Sequence, residues 1–304
     1  MIHTSENNWH AWTYDNGIEF GRRSSNEKFK TTYGKSALQP KSFKEELIRT
    51  AKSTLDHFPG LRPSVLFSGG MDSEVVLRAY LEIGANPQVF IMRYENDYNL
   101  YDVSYAVTIC SMLNVDYKVI DFNLKKFYEN DAEQVSEASQ IDGPRALPYC
   151  KFMELVDGLP IIGDGNLSVY RTDSDYSKLG TWIYRDYEHE IGWTKYLLEK
   201  NIPGIAEWFK WTPELVLSNM ELKWFGNLIS DQYEGKLGVN STKILGYREV
   251  YPDMIDRTKK TGFEKIDQLA AEFEEFLSKK YNGLPFRAYS TRTVSEFIKE
   301  LSNV

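Results

Sequence analysis

Residues 63–84 constrain the fold of this chain more than any other segment. The apolar run at residues 65–67 has the length and composition of a strand that is buried on both faces. Two glycines follow it. From Asp72 onwards the apolar residues recur with the period of an α-helix, which Gly84 is placed to end. The segment therefore predicts a strand, a glycine turn and a helix in direct succession.

The turn formed by Ser68, Gly69 and Gly70 has the features of a phosphate-binding site. Adjacent glycines let the backbone approach a ligand closely and turn its N–H groups toward it. The predicted helix begins directly after the turn, so its partial positive charge lies at the same place. A tight turn without any ligand is the alternative that these features leave open.

The turn differs from the two commoner nucleotide loops. Residues 34–36 read Gly-Lys-Ser, which matches the end of a Walker loop, but Phe29 stands where the first glycine of that loop belongs. Residues 163–165 read Gly-Asp-Gly, as a dinucleotide fingerprint begins, but Ser168 occupies the place of the third glycine. Neither pattern is complete in this sequence.

Residues 68–73, Ser-Gly-Gly-Met-Asp-Ser, resemble the pyrophosphate loop of the PP-loop ATP pyrophosphatases. The resemblance extends over residues 42–265 and is to the synthetase domain of asparagine synthetase in particular. It implies an α/β fold of the adenine nucleotide alpha hydrolase type: a parallel twisted sheet of roughly five strands with flanking helices. A small N-terminal β arm and a helical C-terminal part complete the expected architecture.

In such enzymes the loop holds the phosphates of ATP while a substrate oxygen attacks the α-phosphorus. The resemblance therefore implies that ATP contacts the end of the first strand, the loop and a glycine after a later strand. These residues are Leu66, Ser68, Gly69, Gly70, Asp72, Ser73 and Gly163.

A second apolar strand is predicted at residues 88–92, and ligands of open parallel sheets bind beyond the carboxyl ends of the strands. In the resembled family this place contacts adenine, which implicates Met92 and Arg93. A plain surface charge is the alternative for Arg93. Arg145, in a predicted loop, has the planar guanidinium to hold a carboxylate or phosphate, and it too has a surface alternative.

Asp164 follows a strand predicted at residues 159–162 and would share a rim with Asp72 in a parallel sheet, where the two could bind Mg²⁺. Asparagine synthetases carry an Asp-Glu pair shortly after this acid, but here Leu167 and Ser168 replace it. Three explanations stay open: Asp164 takes over, the metal has fewer protein ligands, or catalysis is altered. Ordinary turn chemistry is a further alternative for Asp164.

Residues 247–263 resemble the family's segment of a proline, Arg-x-Lys and Gly-Phe, with one extra residue before the glycine. In the family the lysine stabilises charge on the departing pyrophosphate, which implicates Lys259 first and Lys260 second. A fixed ammonium is suited to that role. The predicted catalytic residues are thus Asp72, Lys259 and Lys260, and an exposed basic run is the alternative for the two lysines.

The composition of the 304 residues is that of a folded globular protein, with 42% hydrophobic and 26% charged residues. A net charge of −8 argues against a large nucleic acid as partner. The two cysteines, Cys110 and Cys150, lack metal-type spacing, and no apolar run reaches the length of a membrane span. These features predict a cytoplasmic protein without a membrane partner.

We divide the sequence into an N-terminal β arm (1–40), an ATP-binding α/β domain (41–190) and a helical part that completes the active site (191–304). About 60 residues precede the loop, too few for the glutaminase domain of glutamine-dependent asparagine synthetases. Nitrogen would then come from free ammonia, from the substrate's own amine or from an ammonia-supplying partner protein.

The resemblance implies an AMP-forming ligase that uses ATP and Mg²⁺. It adenylates a small molecule with a carboxylate or carbonyl oxygen, releases pyrophosphate and completes the reaction by amine or ammonia attack. Two alternatives stay open. One is a PP-loop enzyme that modifies a nucleobase or nucleotide, and the other is a catalytically weak ATP-binding regulator, which the residues at 167 and 168 favour. The identity of the acceptor is not readable from the sequence.

Overall fold

The computed structural model describes residues 10–14, 29–165, 167, 169–171, 182–225, 239–257, 263–283 and 289–302. A four-stranded parallel sheet forms its centre, with the strand order β5-β4-β3-β6. The strands are β3 (Pro63–Leu66), β4 (Gln88–Tyr94), β5 (Tyr117–Phe122) and β6 (Leu159–Ile162).

Helices lie along both faces of the sheet. The helices up to β6 are α1 (Phe43–His57), α2 (Met71–Glu82), α3 (Leu100–Met112), α4 (Leu124–Asn130), α5 (Ala132–Ser139) and α6 (Leu147–Glu154). The later helices are α7 (Glu188–Glu199), α8 (Pro213–Met220), α9 (Val239–Val250), α10 (Phe263–Tyr281) and α11 (Val294–Leu301). The predicted fold class, a parallel sheet with flanking helices, is confirmed, and the described part of the chain contributes four strands to a sheet expected to have roughly five.

The last two residues of the central strand β3, Val65 and Leu66, show why this strand carries apolar side chains at neighbouring positions. Val65 packs in the core with α1, α2 and α3, whereas its neighbour Leu66 packs on the opposite face with α4 to α7 and α10. Successive side chains of a strand point to opposite faces, so a strand that is covered on both sides favours apolar residues at neighbouring positions. Ser64 is the polar exception, and its buried hydroxyl donates a hydrogen bond to the carbonyl oxygen of Asp157. All four residues of β3 are buried.

A capping box is present at the start of α1. The Ser42 hydroxyl accepts a hydrogen bond from the backbone N–H of Glu45, and the Glu45 carboxylate accepts one from the backbone N–H of Ser42. Two of the helix's otherwise unpaired N–H donors are satisfied in this way.

A small antiparallel sheet lies outside the central one, and the sequence analysis predicted none of its three strands. Its order is β7-β8-β9, from β7 (Val169–Arg171), β8 (Trp182–Tyr187) and β9 (Tyr289–Thr293). The helical C-terminal part thus contributes a strand as well as helices. Its core includes Tyr184, whose ring stacks on Phe297 with centroids 3.7 Å apart.

The N-terminal β arm is present as two antiparallel strands, β1 (His10–Tyr14) and β2 (Phe29–Tyr33). Residues 15–28, between the two strands, lie outside the described residues. Tyr33 at the end of the arm is within hydrogen-bond distance of the Tyr184 hydroxyl, 3.2 Å between the two oxygens, so the arm packs on the small sheet.

No helix within the described part of the chain is long and apolar enough to span a membrane. Both cysteines are free thiols in the core, Cys110 on one face of the central sheet and Cys150 on the other. Burial raises the pKa of the Cys110 thiol to about 12, so it stays protonated and is a poor nucleophile.

Candidate active site

The glycine loop lies at the carboxyl rim of the central sheet, directly between β3 and α2. The backbone N–H of Phe67 still bonds the carbonyl of Phe90 on β4, at 2.8 Å, and the chain then leaves the sheet. Gly70 is the N-cap of α2 and has no side chain with which to bond the N–H groups of the first turn. Its own N–H donates to the Ser68 hydroxyl oxygen at 3.2 Å.

Two glycines are required here by close packing. Gly69 has a φ of +73°, and a Cβ atom on it would lie 2.5 Å from the carbonyl oxygen of Asp102 on α3. A Cβ on Gly163, after β6, would lie 2.9 Å from the Cα of Ser73 on α2. The loop is therefore clamped between α3 and the end of β6, which fixes the direction of its peptide groups.

Asp72, in the first turn of α2, receives two contacts from α9. The Tyr247 hydroxyl donates a hydrogen bond to its Oδ1, and the Lys243 ammonium lies 3.6 Å from its Oδ2. Lys243 and Tyr247 are four residues apart on α9, so both project from the same face of that helix. Helix α9 thus brings a cation and a hydroxyl to the loop.

The loop is also anchored by a buried arginine. Arg257 donates a hydrogen bond from Nη1 to the carbonyl oxygen of Gly69, at 2.8 Å, and forms an ion pair with Glu74 on α2. Their side chains are only 3% and 2% exposed. Burial lowers the pKa of Arg257 to about 10, although the charge of Asp72 acts in the opposite direction. Arg257 stays a cation at neutral pH, and its hydrogen bond fixes the orientation of the Gly69 carbonyl group.

Asp164 follows β6 on the same rim. Its Oδ1 accepts a hydrogen bond from the N–H of Gly165, at 2.8 Å, and its Oδ2 lies 3.6 Å from Nε2 of His189. Burial acts to raise the pKa of Asp164, but His189, the Gly165 N–H and the positive charge of Lys243 together lower it to about 2. Asp164 is ionised at neutral pH, and the positive charge of Lys243 acts on the carboxylates of both Asp72 and Asp164.

The donor set fits Mg²⁺ only in the presence of phosphates. In the described part of the chain no group of three or more His, Cys, Asp or Glu side chains is placed to hold a metal ion. Mg²⁺ commonly binds one or two carboxylates together with substrate phosphates and water. Asp72 and Asp164 supply two ionisable carboxylates of that type, with the Lys243 ammonium 3.6 Å from Asp72 and the His189 imidazole 3.6 Å from Asp164. Their role as metal ligands stays a prediction.

The two residues that replace the family's Asp-Glu pair do not restore an acid. Leu167 is 2% exposed and packs with Val169 and Tyr184 in the core of the small sheet. Ser168 lies outside the described residues. Asp164 is therefore the acid that this stretch places at the rim.

A cavity of about 180 Å³ adjoins the loop, and Ser68, Met92 and Asp102 are among its lining residues. The Asn99 side chain fixes the end of β4 here, because its amide N–H bonds the carbonyl of Met92 and its carbonyl accepts from Tyr94, each at 2.8 Å. Leu66 is buried in the core beneath the loop.

Arg93 takes a different direction from Met92. Its guanidinium pairs with Asp121 on β5, 2.6 Å from Nε to Oδ1, and it is not among the described residues that line the cavity. The structure therefore brings Met92 to the loop and places Arg93 elsewhere. Their roles as nucleotide contacts stay predictions.

Sequence reasoning missed four residues that the structure brings to the rim: Lys243, Tyr247, Arg257 and His189. Two signals were readable. Arg257 is the arginine of the Arg-x-Lys segment, to which no role was assigned, and the four-residue spacing of Lys243 and Tyr247 places them on one helical face. The predicted Lys259 and Lys260 lie outside the described residues, so their catalytic role stays a prediction.

No protein-family model and no curated protein matches the sequence. Among solved structures, NMN synthetase from Francisella tularensis matches at 16% identity over 72% of this chain and 97% of the other, with a TM-score of 0.32. A predicted subunit of tRNA methyltransferase from Methanocaldococcus jannaschii matches at 18% identity over 77% and 96%, with a TM-score of 0.34. NH3-dependent NAD synthetase from Campylobacter jejuni matches at 15% identity over 71% and 97%, with a TM-score of 0.31. Likeness at this level supports no conclusion about the family or activity of this chain.

Proposed function

We propose that this chain binds ATP with its phosphates on residues 68–73 and transfers the adenylyl group to a substrate oxygen, releasing pyrophosphate. One observation carries the proposal. A glycine loop, clamped at the carboxyl rim of a parallel sheet, leads into a helix N-terminus and faces Asp72 and Lys243. Backbone N–H groups, a helix dipole and a fixed ammonium in one place are suited to a polyphosphate.

The proposed chemistry assigns a role to each group. The substrate oxygen bonds to the α-phosphorus, and the bond from that phosphorus to the bridging oxygen breaks. The electron pair leaves with pyrophosphate, whose growing charge Lys243 and the loop N–H groups stabilise. Mg²⁺, when bound, would be held by Asp72 and Asp164 and would neutralise phosphate charge.

The second half of the proposed reaction is a substitution at the activated carbon. An amine or ammonia bonds to it, and AMP leaves with the former substrate oxygen, which makes the overall reaction a carbon–nitrogen ligation. The nitrogen is free ammonia, the substrate's own amine or ammonia from a partner protein. We place the reaction in the cytoplasm.

Asp72→Asn is expected to lower substrate-dependent pyrophosphate release by about 100-fold or more, because the loop loses a carboxylate that would hold Mg²⁺. The measurement is pyrophosphate release from ATP and Mg²⁺ across a panel of carboxylates and nucleobases, each with ammonia. Asp116→Asn, at an exposed position away from the rim, is the matched control and should retain the wild-type rate. Failure of the wild-type protein to bind ATP, or undiminished release by Asp72→Asn, would contradict the proposal.

Lys243→Met is expected to slow pyrophosphate release by roughly 100- to 1,000-fold, the usual loss on removing one charge-stabilising donor. Methionine keeps most of the length of the side chain, so α9 should pack as before. Lys223→Met, at an exposed position, is the control. Single-turnover rates at saturating ATP separate the chemical step from binding, and a change in ATP affinity alone would refute a role in stabilising the departing group.

A nucleotide-binding regulator without turnover is the second candidate. The burial of Leu167 favours it, because no acid stands there to supplement Asp164. In this case ATP would bind, but no acceptor would elicit pyrophosphate release.

A further inference from the structure

Two aromatic rings from distant parts of the chain pack against the ring of Tyr247. Phe43, at the start of α1, stacks on it with centroids 6.5 Å apart and 15° between the ring planes. Phe209, which precedes α8, stacks on it at 6.2 Å and 27°. All three rings are buried in one core cluster. A side chain packed in this way has little freedom to change rotamer, so the Tyr247 hydroxyl is held at a fixed point.

The helix that carries Tyr247 is itself fixed by the neighbouring glycine. A Cβ atom on Gly246 would lie 1.9 Å from Cδ1 of the Trp224 ring, so the indole packs directly on the backbone of α9. The backbone N–H of Trp224 also donates a hydrogen bond to the Glu249 carboxylate, at 3.1 Å. These contacts fix the rotation of α9 about its axis, and with it the direction of Tyr247.

The Tyr247 hydroxyl distinguishes the two oxygens of Asp72. It donates a hydrogen bond to Oδ1, whereas the Lys243 ammonium lies 3.6 Å from Oδ2. The last torsion of an aspartate side chain has a broad energy minimum, so a carboxylate turns easily unless one of its oxygens is held. A fixed donor on Oδ1 therefore orients the group and leaves Oδ2 as the oxygen that faces a cation.

Such orientation affects the binding of Mg²⁺ in particular. This ion requires ligands close to ideal octahedral geometry, and a carboxylate that turns freely meets that requirement only part of the time. Hydrogen-bond partners that orient a ligating group typically change metal affinity by about 10- to 100-fold.

We propose that Tyr247 is a positioning residue, whose hydroxyl orients Asp72 so that Oδ2 is presented to the Mg²⁺ that accompanies ATP. Tyr247 acts through Asp72, and contact with ATP is not part of its assigned role. The inference rests on the proposed function, because it takes residues 68–73 as the phosphate site. It requires ATP to bind together with Mg²⁺, but it does not require adenylyl transfer.

Tyr247→Phe tests the inference, because it keeps the ring and removes only the hydroxyl. ATP binding is measured by calorimetry over a series of Mg²⁺ concentrations, and again in EDTA without Mg²⁺. The Mg²⁺ concentration that gives half of the full enhancement of ATP binding should rise by about 10-fold or more in this variant. ATP affinity in EDTA should be unchanged, since the loop itself is intact.

Tyr251→Phe is the matched control. Tyr251 lies four residues further along the chain and is also buried, but the Lys44 ammonium and the Arg78 guanidinium lie over its ring, 5.5 and 5.2 Å from the ring centre. Loss of its hydroxyl should change neither the Mg²⁺ requirement nor the ATP affinity in EDTA.

A second pair of variants separates positioning from a merely structural role. If Tyr247 acts through Asp72, adding Tyr247→Phe to Asp72→Asn should not raise the Mg²⁺ requirement beyond that of Asp72→Asn alone. A structural role would instead weaken ATP binding equally with and without Mg²⁺, and would do so in both backgrounds. Either of these structural results would overturn the inference, and urea unfolding confirms that the compared variants are folded.

Failure of the inference is distinguishable from failure of the proposed function. If the wild-type protein does not bind ATP under either condition, both are wrong. If it binds ATP with Mg²⁺ and Tyr247→Phe has the wild-type Mg²⁺ requirement, the inference alone is wrong. ATP binding by the wild type that does not depend on Mg²⁺ would also overturn the inference, while residues 68–73 would remain the phosphate site. If ATP binds but no acceptor elicits pyrophosphate release, the proposed adenylation fails and the Mg²⁺ titrations still decide the role of Tyr247.

Discussion

Gly69→Ala is expected to lower the free energy of unfolding by about 2–5 kcal/mol and to abolish ATP binding. Two costs add. An alanine at a φ of +73° costs roughly 1–2 kcal/mol, because its Cβ crowds the following carbonyl. The same Cβ would lie 2.5 Å from the carbonyl oxygen of Asp102 and 2.8 Å from the amide of Ala106, and overpacking of this kind costs roughly 1–3 kcal/mol more.

Gly84→Ala separates the two costs. Gly84 ends the same helix with a φ of +70°, but a Cβ on it would meet no atom within 4 Å. This variant should lose only about 1–2 kcal/mol, the backbone cost, and should bind ATP normally. Urea unfolding gives both free energies, and calorimetry gives the ATP affinities. Equal losses of stability in the two variants would mean that α3 does not clamp the loop.

The link from this packing to function is the direction of the loop's peptide groups. Helix α3 can reach its position only if the loop has no side chain at residue 69, and α3 in turn prevents the loop from relaxing when a ligand leaves. A phosphate would then meet donors that need no rearrangement, which is the condition under which hydrogen bonds stabilise developing charge well. Gly69→Ala should therefore impair binding even where the protein remains folded.

The strand, loop and helix of residues 63–84 could be predicted because their signals are local. A buried strand needs consecutive apolar residues, a helix needs apolar residues with a period of 3.6, and the glycines mark the change between them. The capping box of Ser42 and Glu45 is local in the same sense. The fold class was implied by the resemblance of residues 68–73, and the alternation of strands and helices along the chain agrees with it.

The partners of the loop could not be predicted because they come from distant parts of the sequence. Arg257 contacts Gly69 across 188 residues, and Tyr247 contacts Asp72 across 175. Neither residue has a local pattern that names its partner. Strand β9 was missed for a related reason, since its pairing with β8 depends on a neighbour about 100 residues earlier and strand preference depends strongly on context.

The different directions of Met92 and Arg93 follow from the period of a strand. Phe90, Met92 and Tyr94 all pack in the core cluster on one face of the sheet. Arg93 lies between two of them in sequence, so its side chain must leave on the other face. If the alternation of side chains had been followed to the end of β4, the sequence would have placed Met92 and Arg93 on opposite faces of the sheet.

Glu74→Gln is expected to destabilise the protein by about 3–5 kcal/mol, the usual cost of leaving a buried charge without its partner. The Glu74 carboxylate lies between two arginines, with Oε1 accepting from Nε of Arg78 at 2.7 Å and Oε2 paired with Arg257. Arg78 keeps a second carboxylate, Asp253, at 2.9 and 3.1 Å. Arg257 would lose the one ion-pair partner found among the described residues, with its side chain 3% exposed.

Arg257→Met should behave differently, because Glu74 retains Arg78 when Arg257 is removed. We expect this variant to lose less stability than Glu74→Gln, and yet to bind ATP more weakly, since the carbonyl of Gly69 is no longer held. The double variant should be more stable than Glu74→Gln alone, because it removes the unpaired buried cation. Urea unfolding of all three variants, with ATP calorimetry, measures both quantities. If Arg257→Met is the least stable of the three, the loss of stability does not come from breaking the ion pair. Packing of the residue 257 side chain would then have to explain how the loop is anchored.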